Sequence, residues 1–154
     1  ALAMTGASVA FGFGENYTIG RGDWTYAPRD ITQPTGCSAN PDRAHLRHMH
    51  FALDPELRVE GVTNRWVWET MRSTAKAAEP SFLVRNSKPV LSITAGQDTV
   101  VDTAQAQANC SAMQNCTNVH FEAAQHCIMH EDVAQADAVH AEVIAFFDQI
   151  GGRE

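Results

Sequence analysis

From Pro89 the chain reads PVLSITAGQDTVVD, a short apolar run from Val90 to Ala95 that breaks into Gly96, Gln97 and Asp98. A run of this length, bounded by proline and turn residues, predicts a strand buried on both faces, as in a parallel sheet. Asp102 is placed to cap a helix reaching about Met113. NVHFEA, beginning at Asn118, predicts a second short strand. Val139, Val143, Phe146, Phe147 and Ile150 then recur at helical spacing, closed by Gly151 and Gly152. Strand, helix, strand, helix predicts a right-handed parallel crossover unit.

The first half reads differently. NPDRAHLRHMHFALDPEL predicts a helix capped by Asn40, with Pro41 at its first position and Leu46, Met49 and Leu53 on one stripe. TNRWVWETMRSTAKAAEP predicts another, capped by Thr63 or Asn64 and ended by Pro80, with Trp66, Val67, Met71 and Thr74 roughly on one face. The opening ALAMTGASVAFGFGENYTIGRGDW is rich in glycine and reads as loop, which leads to the expectation that the chain is a piece of a longer one. Two regions are expected, a loop-rich then helical segment over 1–85 and a strand–helix–strand–helix segment over 86–154.

Composition narrows the possible functions. With 154 residues, 44% hydrophobic and 19% charged, the chain can bury a core and is not compositionally disordered. A formal charge of −7 argues against a nucleic-acid surface, because phosphates favour a basic face. No run reaches the roughly 18 apolar residues of a membrane span, and no signal-peptide pattern is present. Cys37, Cys110, Cys116 and Cys127 contain no C-x-x-C pair and are too sparse for a disulfide scaffold, so reduced thiols are expected. The expected location is the cytoplasm, with peripheral contact at the inner membrane allowed.

The chemistry gathers at the strand ends. Ligands of open parallel sheets bind beyond the carboxyl ends of the strands. Asp98 sits at that end of the first strand, and AAQHCIMHED presents His126 beyond the second. A carboxylate and an imidazole at matching ends of neighbouring strands can hydrogen-bond, the Asp fixing the tautomer of the His and steadying its charged form. His126 and His130 are four apart and invite a metal reading, but the H-E-x-x-H form places Glu between the histidines. Here Glu131 follows the pair, so no metal is expected. His45, His48 and His50 read as a solvated helix face.

These residues resemble the C-terminal part of an α/β-hydrolase, and more narrowly the bacterial lysophospholipase and monoglyceride lipase group. PVLSITAGQDTVVD resembles that group's G-x-D-x-x-V strand end, which carries the triad acid, and His126 follows 28 positions after Asp98, as the triad base does. ELRVEGVTNRW, Glu56 to Trp66, resembles the cap pattern E-L-R-x-G-G-x-T-x-x-W. The resemblance spans nearly the whole chain and implies an α/β fold made of a mainly helical cap followed by the last two strands of the sheet. It implies catalytic roles for Asp98 and His126, no cofactor, and a small lipid ester as substrate. Trp66 and Trp68, in the cap segment, become candidate acyl contacts.

The sequence departs from the group at Cys127, where Glu usually follows the His, and at Ala123 and Ala124, where Gly is common. The G-x-S-x-G nucleophile elbow is absent; TGASVAFG has Gly6 and Ser8 but alanine at the last required position. The expected function is therefore ester hydrolysis of lysophospholipids or monoacylglycerols in the complete protein, with this chain alone inactive. A non-catalytic cap-and-sheet module that binds lipid or protein is the alternative. The expected partner is the missing N-terminal half, or a second copy joined through an exposed strand edge.

Overall fold

The computed structural model describes residues 2–26 and 36–152. The chain forms two compact units, Ala1–Pro28 with His50–Phe82, and Arg29–Met49 with Leu83–Glu154. Residues 29–49, read from sequence with the cap, group with the strand-bearing residues.

In the first unit, α1 (Leu2–Ala10) packs on α4 (Asn64–Ala77). The opening segment is thus partly helical rather than loop. Gly6 weakens an isolated helix, but a Cβ there would lie 2.6 Å from the Trp68 ring, so only glycine lets the two helices approach this closely. Thr63 caps α4 by accepting from the Trp66 N–H at 3.2 Å. The helix ends at Ala77 with Ala78 as its C-cap, just before Pro80, which also opens α5 (Pro80–Arg85). Trp66, on the face shared with Val67, Met71 and Thr74, is 57% exposed. Arg58 stacks over Trp24, which meets Phe51 edge-on.

In the second unit, Asn40 caps α2 (Pro41–Ala44), its side chain accepting from the Arg43 N–H. The expected continuous helix breaks at His45 before resuming as α3 (Leu46–Leu53). Leu46, Met49 and Leu53, the three predicted stripe residues, are all exposed, whereas His45 is buried and so is not part of a solvated face.

The parallel pair forms as the sequence predicts. β1 (Val90–Ala95) runs beside β2 (Cys116–Phe121), with Val90 opposite Cys116 and Ala95 opposite Phe121. α6 (Thr103–Ala112) makes the crossover, capped by Asp102 through the Gln105 N–H. Only Thr94 and Ala95 of β1 are fully buried, so the expected two-sided burial holds at its carboxyl end alone. Among the described residues β1 pairs with β2 and with no other strand. α7 (Val133–Gly151) buries Ala136 and Val139 and turns Phe147 outward, off the predicted stripe. Among the described residues no helix is long and apolar enough to cross a membrane.

The cysteines are not reduced thiols. Cys110 and Cys116 are bridged, and so are Cys37 and Cys127. The first pair joins α6 to the start of β2, which begins two residues before the predicted NVHFEA because the ladder already pairs Val90 with Cys116. The second is separated by 90 positions, a proximity that only the tertiary fold creates.

Candidate active site

The turn after β1 owes its shape to Gly96. A Cβ on that residue would sit 2.7 Å from the Glu122 Cα, so the backbone at the end of β2 passes where a side chain would be. This close approach lets the ladder continue beyond the strands, with the Gly96 N–H donating to the Phe121 carbonyl and the Gln97 N–H to the Ala124 carbonyl, at 2.9 and 2.8 Å. The turn bearing Asp98 and the loop bearing His126 are thereby joined backbone to backbone.

Asp98 is held at both oxygens. Its Oδ1 accepts from the Val100 and Val101 N–H groups at 2.7 and 3.0 Å, closing an Asx turn. Its Oδ2 lies 3.0 Å from His126 Nδ1. The Asp98 side chain is 6% exposed, that of His126 38%. Burial disfavours charge on the Asp98 carboxyl, but hydrogen bonds from the Val101 N–H, the His126 imidazole and the Val100 N–H together outweigh it, and the group titrates below the ordinary aspartate value. Asp98 is therefore an ionised acceptor at neutral pH. Nδ1 of His126 must then carry the proton, which leaves Nε2 of the neutral ring as an acceptor.

A cavity of about 170 Å³ adjoins this pair, lined by Asp98 and His126 with Ile93, Ala95, Val101, Ala106 and Ile128 among its apolar walls. An apolar pocket with a few converging polar groups suits a small, largely hydrophobic ligand.

His130 does not join the pair. It closes a short 3₁₀ turn, Ile128–His130, that begins after His126, so the two histidines do not share a helix face. His130 instead lies within 4.8 Å of the sulfurs of Cys37 and Cys127. Bridged to each other, those sulfurs are not thiolate ligands, and the donor set does not fit a metal. Trp66 and Trp68 stand on α4 in the first unit, Trp68 against Gly6 with Arg72 over its ring and Trp66 open to solvent.

Sequence reasoning missed Glu131. It is 3% exposed, and its carboxylate accepts from the Gln125 N–H at 2.7 Å and from the Ala39 N–H and Ser38 hydroxyl at 3.0 Å each. No local pattern marks it, because two of its donors come from Ser38 and Ala39, more than ninety positions away.

No protein-family model matches the chain, and no curated protein matches it. Among solved structures, a soluble variant of monoglyceride lipase from Saccharomyces cerevisiae, in complex with a substrate analog, is similar with a TM-score of 0.69 and 16% identity. The match covers 96% of this chain and 48% of the lipase chain, so the chain spans about half the length of that neighbour. At this identity the likeness speaks for architecture alone: the chain has the fold of the C-terminal part of an α/β-hydrolase.

Proposed function

We propose that the complete protein is a serine ester hydrolase acting on lysophospholipids or monoacylglycerols, with His126 as general base and Asp98 as its orienting acid. One observation carries this reading, the 3.0 Å contact between Asp98 Oδ2 and His126 Nδ1 at matching ends of two parallel strands. With Nδ1 protonated against a carboxylate, Nε2 is the atom free to take a proton from an attacking hydroxyl. It later returns that proton to the leaving alcohol, while Asp98 steadies the imidazolium formed in between. The nucleophile is a serine supplied in the complete enzyme by a G-x-S-x-G elbow, a pattern this segment lacks.

The apolar walls beside the pair favour a substrate with an acyl chain over a polar one. Trp66 is the candidate for further acyl contact, being exposed on α4. The two disulfides favour an oxidising compartment over the cytoplasm expected from the sequence. The direct test is hydrolysis of monoacylglycerol and lysophospholipid by the complete enzyme. Turnover abolished by His126→Ala is expected, and no turnover of either ester by the unmodified enzyme would remove the reading.

A further inference from the structure

The loop that carries His126 would be expected to be mobile, since His126 itself belongs to neither strand nor helix and its side chain is more than a third exposed. Yet the backbone N–H groups of Gln125, His126 and Cys127 are all engaged. The Gln125 N–H donates to Glu131 Oε1 at 2.7 Å, the His126 N–H to the Gly36 carbonyl at 3.4 Å and the Cys127 N–H to the Cys37 carbonyl at 2.6 Å. The other Glu131 oxygen accepts from Ser38 Oγ and the Ala39 N–H. The Cys37–Cys127 bridge ties the same two stretches covalently. Glu131 is thus a buried carboxylate whose two oxygens reach opposite sides of one junction, one to the residue before His126 and one to the 38–39 segment.

A buried carboxylate is costly unless its lone pairs are satisfied, and donors lined up on it form strong, geometrically exact bonds. Nothing in the proposed proton transfer uses Glu131. We propose that Glu131 is a positioning residue, which fixes the backbone of the His126 loop against the bridged 36–39 segment and so holds Nδ1 on Asp98. This inference rests on the reading of His126 as the base. Burial of the carboxylate between two backbone stretches makes the position of His126 depend on a residue that touches neither substrate nor the reacting atoms. Catalysis is sensitive to such placement, a displacement of about 1 Å being enough for a roughly hundredfold loss.

The test is Glu131→Gln, nearly identical in shape, in which an amide NH₂ replaces one carboxylate oxygen and faces a backbone donor instead of accepting from it. In this chain, proton NMR of the hydrogen-bonded Nδ1–H of His126 reads the contact with Asp98 directly, Asp98→Asn serving to assign the signal. The signal is expected to be lost or broadened in Glu131→Gln while the amide signals of β1, β2 and α7 stay in place. In the complete enzyme kcat should fall by about tenfold to a hundredfold with KM within about twofold. A folded Glu131→Gln protein with an unchanged Nδ1–H signal overturns the proposal. Should Glu131→Gln fail to fold, Ser38→Ala removes one of the donors and leaves both backbone bonds. A weakened Nδ1–H signal in that variant then supports the clamp, and an unchanged one overturns it. If the complete enzyme hydrolyses no ester in any form, the hydrolase reading falls while the NMR comparison still decides the role of Glu131.

Discussion

Gly96 and Glu122 meet backbone to backbone at the carboxyl ends of the two parallel strands, with no room for a Cβ between them. That contact sets the spacing between the Asp98 turn and the His126 loop. Gly96→Ala is therefore expected to destabilise the fold by about 1–3 kcal/mol, the usual cost of forcing atoms into a filled space. It should also weaken the Asp98–His126 contact. Chemical denaturation checks the first effect, and a variant as stable as the parent would show that the turn can relax.

The low pKa of Asp98 makes its contribution to stability depend on acid. The folded carboxyl titrates below its unfolded value, so the folded state binds fewer protons, and stability is gained above the unfolded pKa of about 3.9. That gain is lost as pH falls through the folded value. Denaturation of the parent and of Asp98→Asn should therefore differ at pH 7 and converge in strong acid. A difference that persists unchanged in acid would mean that the charge of Asp98 contributes nothing.

The two disulfides should be present in protein prepared without reductant, and thiol titration under denaturing conditions should find no free cysteine. Four titratable thiols would contradict the pairing. Removing the bridge of separation 90 should cost more than removing that of separation 6, by about 2 kcal/mol on the chain-entropy account.

Trp66 and Trp68, two positions apart on α4, should part company when truncated. Trp68→Ala opens a void beside Gly6 and should lower stability by about 3–5 kcal/mol at most, less where the ring is half-exposed. Trp66→Ala should leave stability nearly unchanged but shift the acyl-length profile of the complete enzyme. An unchanged profile would remove Trp66 from the acyl contacts.

What could be read from the sequence was what local chemistry decides. The caps at Asn40, Thr63 and Asp102, the Val90–Ala95 strand and the placement of Asp98 and His126 all follow from short patterns with a direct physical cause. What could not be read depends on partners distant in the chain. Gly6 looked like a loop residue because the Trp68 ring that requires it lies far along the sequence. Cys37 gives no sign that Cys127 will meet it. Glu131, noted in the sequence only as following the histidine pair, becomes a buried acceptor once the 38–39 segment and the His126 loop are side by side. His45 is likewise buried in a stretch whose apolar neighbours Leu46 and Met49 remain outside.

The central claim is that Asp98 and His126 act as one catalytic pair, and steady-state kinetics of four forms of the complete enzyme tests it most directly. Asp98→Asn is expected to lower kcat by about 10⁴, because the amide no longer holds the required tautomer, and His126→Ala by a comparable factor. His130→Ala, which removes a ring standing by the Cys37–Cys127 bridge, should leave kcat within about tenfold of the parent. Equal losses at His126 and His130, or an Asp98→Asn enzyme with undiminished kcat, would contradict the account.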